Sequence, residues 1–167
     1  MGFKKNVIAF FVISVLGTLS HFIYNFSGEM SVVGLFFPVN ESVWEHLKMI
    51  LFPALIYSIF EYFTINEKPK NYFTATVSGI YCGMFTIIAI YYIVNGIIGK
   101  DVEFVNIASY YVGVIALLIK RSKIIDEEKL TSKNAKLFLS VILVINIILF
   151  FVWSFNPPSL GIFTPPQ

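Results

Sequence analysis

The chain has 167 residues, 57% of them hydrophobic and 17% aromatic, with 13% charged and a net charge of +2; its mean hydropathy is +0.78. Soluble domains carry about 25% charged residues, and a soluble fold of this length could not hide so much apolar surface, so the composition excludes an ordinary water-soluble globule. The small net charge argues against a nucleic-acid partner, and the single cysteine, Cys82, excludes an intramolecular disulfide.

A membrane-crossing helix needs about 20 mostly apolar residues. Five segments meet that need, at about 6–26, 41–63, 72–98, 102–119 and 135–155. They are too long for barrel strands and do not alternate with period 2, and only helices satisfy their own backbone in lipid. The expectation is an all-α membrane bundle of five helices, with residues 1–167 forming a single integral membrane domain.

The first span follows Lys4 and Lys5. Its apolar run does not stop cleanly after Ser20, and no small-x-small cleavage pattern follows, so an uncleaved helix fits better than a signal peptide. The next segment, GEMSVVGLFFPVN, is too apolar for a free loop and is expected to pack over the bundle or dip back into the interface. The second span opens on a polar turn, Asn40-Glu41-Ser42-Val43-Trp44-Glu45-His46-Leu47-Lys48. Ser42 and Glu45 have the spacing of a capping box, and Glu41 and Glu45 both suit the positive end of a helix dipole. Lys48 is placed to pair with Glu45 and to snorkel. At the far end of this span Glu61 is expected to snorkel or to meet Lys68 or Lys70.

Small residues in the third and fourth spans, Gly79-x-x-x-Gly83 and Ser109-x-x-x-Gly113, predict close helix approach within the bundle. Asn95 and Asn106 flank the turn near Lys100 and read as helix caps. The acidic triplet Asp126-Glu127-Glu128 reads as a solvated loop or a short amphipathic turn. Asn146, in the middle of the fifth span, calls for an interhelical partner. The tail FNPPSLGIFTPPQ cannot continue a helix; it reads as an interfacial tail or as a lid over the polar turn.

Lys4, Lys5, Lys68, Lys70, Lys120, Arg121, Lys123, Lys129, Lys133 and Lys136 all fall on one side of a five-span chain, leaving only Lys48 and Lys100 near the other. Basic loops stay cytoplasmic, which puts the N-terminus in the cytoplasm and the C-terminus outside.

His21 and His46 are the only histidines, and capping does not account for them. Each sits about five residues from the outer end of its span, roughly 7 Å deep at 1.5 Å per residue. Ionisable groups inside a span mark candidate sites, and the candidate polar site is His21, Glu41, Glu45 and His46. On a helix beginning at residue 41, Glu45 and His46 would both face His21, with Glu41 nearer water at the mouth. His21, Glu45 and His46 could then hold a zinc-like divalent ion with a position open for water.

The stretch Pro38-Val39-Asn40-Glu41-Ser42-Val43-Trp44-Glu45-His46, with the upstream Gly17-Thr18-Leu19-Ser20-His21-Phe22-x-Tyr24 and the Pro-Pro-rich C-terminus, resembles a family of small bacterial multi-pass membrane proteins of unknown function. The resemblance covers nearly the whole chain; it implies a common architecture and no known activity.

Three functional classes follow. The polar cluster is a structural contact or a docking site for a ligand, a protein partner or a second copy; or it is the centre of a metal-dependent hydrolase acting on a lipid or envelope substrate; or the chain is a small transporter or channel subunit. The absence of an internal repeat counts against a transporter built from inverted repeats.

Overall fold

Apolar runs interrupted by Gly, Pro and polar turns fold into helices joined by short connections. The computed structural model describes residues 3–127 and 131–166. Glu128 and Lys129 of the acidic–basic loop lie outside them.

The elements in chain order are α1 (Phe3–Phe26), α2 (Ser31–Gly34), α3 (Val43–His46), α4 (Lys48–Thr64), α5 (Tyr72–Ile98), α6 (Glu103–Asp126), α7 (Lys133–Trp153) and a 3-10 turn, Gly161–Phe163. No strand occurs among the described residues. Five helices are long and apolar enough to cross a membrane: Lys4–Phe26, Val43–Thr64, Tyr72–Ile98, Glu103–Asp126 and Lys133–Trp153. The second of these joins α3 and α4 through Leu47.

The fourth helix runs to Asp126, seven residues past the expected end at 119. Its extra turns are built from Lys, Arg and Ile, which sustain a helix well beyond the apolar run. Arg121, expected in a cytoplasmic loop, is therefore on this helix, and it is almost wholly buried.

The long helices run up and down. α1 packs on α4 and α6, and α5 packs on α6, α4 and α7. Asn6 exchanges hydrogen bonds with Ser122 at one end of the α1–α6 pair, and Thr18 meets Tyr111 towards the other. The pair is therefore antiparallel. α5 and α6 approach backbone to backbone through the small residues: a Cβ on Gly83 would lie 2.7 Å from the Gly113 carbonyl oxygen, and one on Gly79 2.8 Å from that of Leu117. Such contact replaces the hydrophobic effect as a source of helix association in lipid.

Pro53, inside α4, has no N–H to give the Met49 carbonyl. The Tyr110 hydroxyl lies 3.5 Å from that oxygen while donating to the Ile13 carbonyl at 2.9 Å. It reaches between α1 and α4 because Gly17 has no side chain; a Cβ there would stand 1.9 Å from the phenol oxygen.

The basic end of the bundle holds a buried ion pair. Glu61 accepts from Arg121 and from the hydroxyls of Tyr72, at 2.7 Å, and Tyr57, at 3.2 Å. This corrects the expectation that Glu61 snorkels or meets Lys68 or Lys70. Lys68 lies instead over the Tyr62 ring, and the weakly hydrated guanidinium of Arg121 loses less than an ammonium on burial beside the carboxylate.

α7 is the least embedded helix: Phe150 is its one buried residue. The Asn146 Oδ1 atom is buried without a hydrogen-bond partner among the described residues, where an interhelical bond was expected.

At the opposite end, the segment after α1 packs over the bundle. Phe36 meets the rings of Phe52 and Phe151 edge-on. The tail returns so that Phe163 packs on Trp44 and Trp153, with ring centroids 5.0 and 5.2 Å away.

A histidine–carboxylate cluster over a cleft

The site begins with a turn. Asn40 Oδ1 accepts from the Ser42 N–H at 2.9 Å, an Asx-turn that starts the helix at Val43 and leaves Glu41 outside it. Ser42 then caps the helix, its Oγ accepting from the Glu45 N–H at 3.4 Å. The reciprocal half of the capping box does not form, because the Ser42 N–H is already taken. Glu45 reaches one turn further and accepts from the Val39 N–H at 3.0 Å.

That small displacement reassigns the carboxylates. Glu45 is buried and committed elsewhere: Lys48 Nζ lies 2.8 Å from its Oε2, and the Ser154 hydroxyl 2.8 Å from its Oε1. Lys48 is fully buried, and it also donates to the Gly34 carbonyl at 2.7 Å and to Ser154 Oγ at 2.5 Å. It does not snorkel. The ammonium finds acceptors on three sides, which compensates its desolvation. Glu45 and Lys48 thus bolt the returning segment, α3 and the end of α7 together.

Glu41 takes the place expected for Glu45. Freed from the helix, it folds back between the two histidines, with Oε1 3.5 Å from His21 Nε2 and Oε2 3.4 Å from His46 Nε2. The imidazoles are nearly parallel, their centroids 5.4 Å apart, as equal depths on neighbouring antiparallel helices allow. One ligand atom from each of His21, Glu41 and His46 lies within 4.8 Å of the other two. The expected set of His21, Glu45 and His46 is corrected in one member: the carboxylate beside the histidines is Glu41.

The proton positions on His46 follow from its neighbours. Nδ1 lies 2.9 Å from the Ser42 carbonyl, which can only accept, so Nδ1 donates. In the neutral ring Nε2 then carries the lone pair, aimed at Glu41. A backbone carbonyl holding the remote N–H is the arrangement that orients a metal-binding imidazole. The His21 Nδ1 atom is buried without a partner among the described residues. When the His46 ring is protonated, its Nε2–H donates to Glu41, and that hydrogen bond holds the Glu41 carboxyl below the ordinary carboxylate range; partial burial opposes this, and the proximity of His21 and His46 adds to it.

The cluster forms one wall of a cleft of about 340 Å³ between α1, α4 and α6, with Pro166 of the tail at its edge. Thr18 and His21 line it from α1, and Asn106, Tyr110 and Tyr111 from α6. Asn106 does not cap a helix; its amide donates to both oxygens of Asp101, at 3.1 and 3.0 Å, and its own oxygen accepts from Asn95 at 3.1 Å. Asn95 Oδ1 accepts the Val102 N–H at the start of α6. Thr18, one turn from His21, could have been read as sharing its face. Tyr110, Tyr111, Ser154 and Arg121 carry no sequence signal for their roles, since each acts across a helix interface.

These features define an all-helical protein with five helices long and apolar enough to cross a membrane and a two-histidine, one-glutamate cluster at one end of the bundle. The chain belongs to a family of unknown function, DUF6512, whose family model matches residues 3–166. No curated protein and no solved structure matches the chain.

Proposed function

We propose that this chain is a multi-pass membrane protein, N-terminus in the cytoplasm and C-terminus outside, whose outer-leaflet cleft holds a zinc-like divalent ion on His21, Glu41 and His46 and hydrolyses a membrane-derived substrate. The observation that carries the reading is the convergence of three ligand atoms within 4.8 Å, with His46 held in the ligating tautomer by the Ser42 carbonyl.

The donor set supports catalysis over a purely structural role for the ion. Structural zinc sites close with four protein ligands, whereas two histidines and one carboxylate leave a fourth position for water. All three residues line the cleft. An ion so held supplies Lewis acidity and brings a bound water's pKa to about 7.

A second reading has its own support: Glu41 already stands at ion-pair distance from both rings. A carboxylate bridging two imidazoles ties α1 to the start of α3 without any metal. This is the non-catalytic contact or docking site. Metal analysis separates the two. Protein purified in detergent without chelator should carry near-stoichiometric zinc, and His21→Ala should lose most of it. A metal-free wild type that fails to take up added zinc leaves the bridging contact as the explanation.

A further inference from the structure

The lining of the cleft narrows the substrate class, an inference that rests on the metal reading above. The cleft has polar and apolar lining. His21, Glu41 and His46 supply the polar part. Phe22 of α1, in edge contact with the His21 ring, and Ile107 of α6 also line it while remaining 47% and 52% exposed. The cleft therefore opens sideways as well, between two candidate spans, where a bilayer would meet it.

Charge decides the head group. No lysine or arginine is among the described residues that line the cleft, and its other charged residues, Glu41 and Glu103, are acids. A phosphate or sulfate would find only the ion to balance it and two carboxylates to repel it. A neutral carbonyl meets no such penalty.

A donor for that carbonyl stands one helical turn from His21. Thr18 Oγ1 and the Tyr111 hydroxyl lie 3.3 Å apart, either able to donate to the other. That bond uses one of two hydroxyl protons and leaves the second for a group in the cleft both side chains line. Tyr110 is spent on the Ile13 carbonyl, and the Asn106 amide on Asp101. Thr18 is three residues before His21, on the same helix face, where side chains are about 5–6 Å apart. A carbonyl oxygen beside the ion is then within reach of the hydroxyl pair. At about 30 Å³ per water-sized group, the cleft holds on the order of ten non-hydrogen atoms, a head and the first carbons of a chain.

We propose that the cleft takes an uncharged acyl ester from the bilayer between α1 and α6, its carbonyl held by the ion and by the Thr18–Tyr111 hydroxyl pair. Hydrolysis forms the bond from water oxygen to carbonyl carbon and breaks that to the alkoxide. One water proton leaves with the alkoxide as the alcohol; the acid departs as carboxylate, its proton going to solvent.

The test uses the full chain, zinc-loaded, in lipid nanodiscs. The probes are p-nitrophenyl esters from acetyl to octanoyl, with p-nitrophenyl phosphate for comparison. We expect kcat/KM to rise with chain length, up to about fourfold per methylene buried, and the phosphate to be untouched. Tyr111→Phe should keep its zinc and lose about 10- to 100-fold in kcat/KM; Thr18→Ser should retain activity that Thr18→Val lowers. Zinc bound with no ester turnover above background, a preference for the phosphate, or a Tyr111→Phe variant equal to wild type overturns the substrate assignment while leaving the metal site standing. A wild type that binds no zinc removes both.

Discussion

Glu41 and Glu45 are four residues apart, yet one faces water and the other is buried against an ammonium. The difference gives each its own signature. The hydrogen bond from His46 lowers the Glu41 pKa, so ionised Glu41 stabilises the fold above its ordinary value of 4.5, and that contribution disappears as pH falls through the lower folded value. Glu41→Gln should therefore melt below wild type at pH 6, and the two should converge as the pH is taken below 4 in detergent. A gap that widens on acidification contradicts the assignment. For the buried pair, removing one partner strands the other: Lys48→Met should destabilise by about 3–5 kcal/mol, and Glu45→Leu combined with Lys48→Met should recover part of the loss. Chemical unfolding in mixed micelles reads both. A Lys48→Met variant as stable as wild type would show that the contacts to Gly34 and Ser154 contribute little.

At the scale of elements, glycine positions separate contact from freedom. Gly83 sits where a side chain would strike the Gly113 carbonyl and Ile50 Cδ1, both at 2.7 Å, whereas a Cβ on Gly96, on the same helix, meets nothing within 4 Å. Gly83→Leu should push α5 from α6 and lower stability by about 1–3 kcal/mol. Gly96→Ala should be neutral or raise stability by up to about 1 kcal/mol, because it restricts the unfolded chain. Thermal unfolding of both variants decides the matter, and equal losses would mean that the close approach carries no energy. Pro53 belongs to the same scale. The carbonyl it frees on Met49 lies beside the Tyr110 hydroxyl, so a helix irregularity and an aromatic residue on another helix are one feature.

For the whole molecule, the proposed orientation makes a direct prediction. Single cysteines placed in a Cys82→Ser background should report sidedness in intact cells. Lys68→Cys should be shielded from a membrane-impermeant thiol reagent, and Lys100→Cys should react. Strong labelling at residue 68 from outside would invert the arrangement and move the cleft to the cytoplasmic face. The burial pattern bears on assembly as well. α7 carries a nearly continuous exposed apolar face, including Leu137, Phe138, Val144 and Ile148, while the Glu61–Arg121 and Glu45–Lys48 pairs brace opposite ends of the bundle.

The sequence by itself determined the number of long helices and their character, because length and hydropathy act locally: each apolar run must form its own hydrogen bonds wherever it lies. It also pointed to His21 and His46 as a pair, since both are counted from the ends of their own helices, and to Gly79, Gly83 and Gly113 as contact residues. The tertiary structure decided which carboxylate joins the histidines. The Asn40–Ser42 turn starts the helix two residues later than its polarity suggests, and that shift leaves Glu41 free to reach both histidines. Glu45 is drawn to Lys48 and to Ser154, more than a hundred residues away, and Glu61 to Arg121 across the bundle rather than to the nearby lysines. A charge in an apolar bundle goes to the partner that best replaces its water, and which partner comes within reach depends on helix packing that no local pattern records.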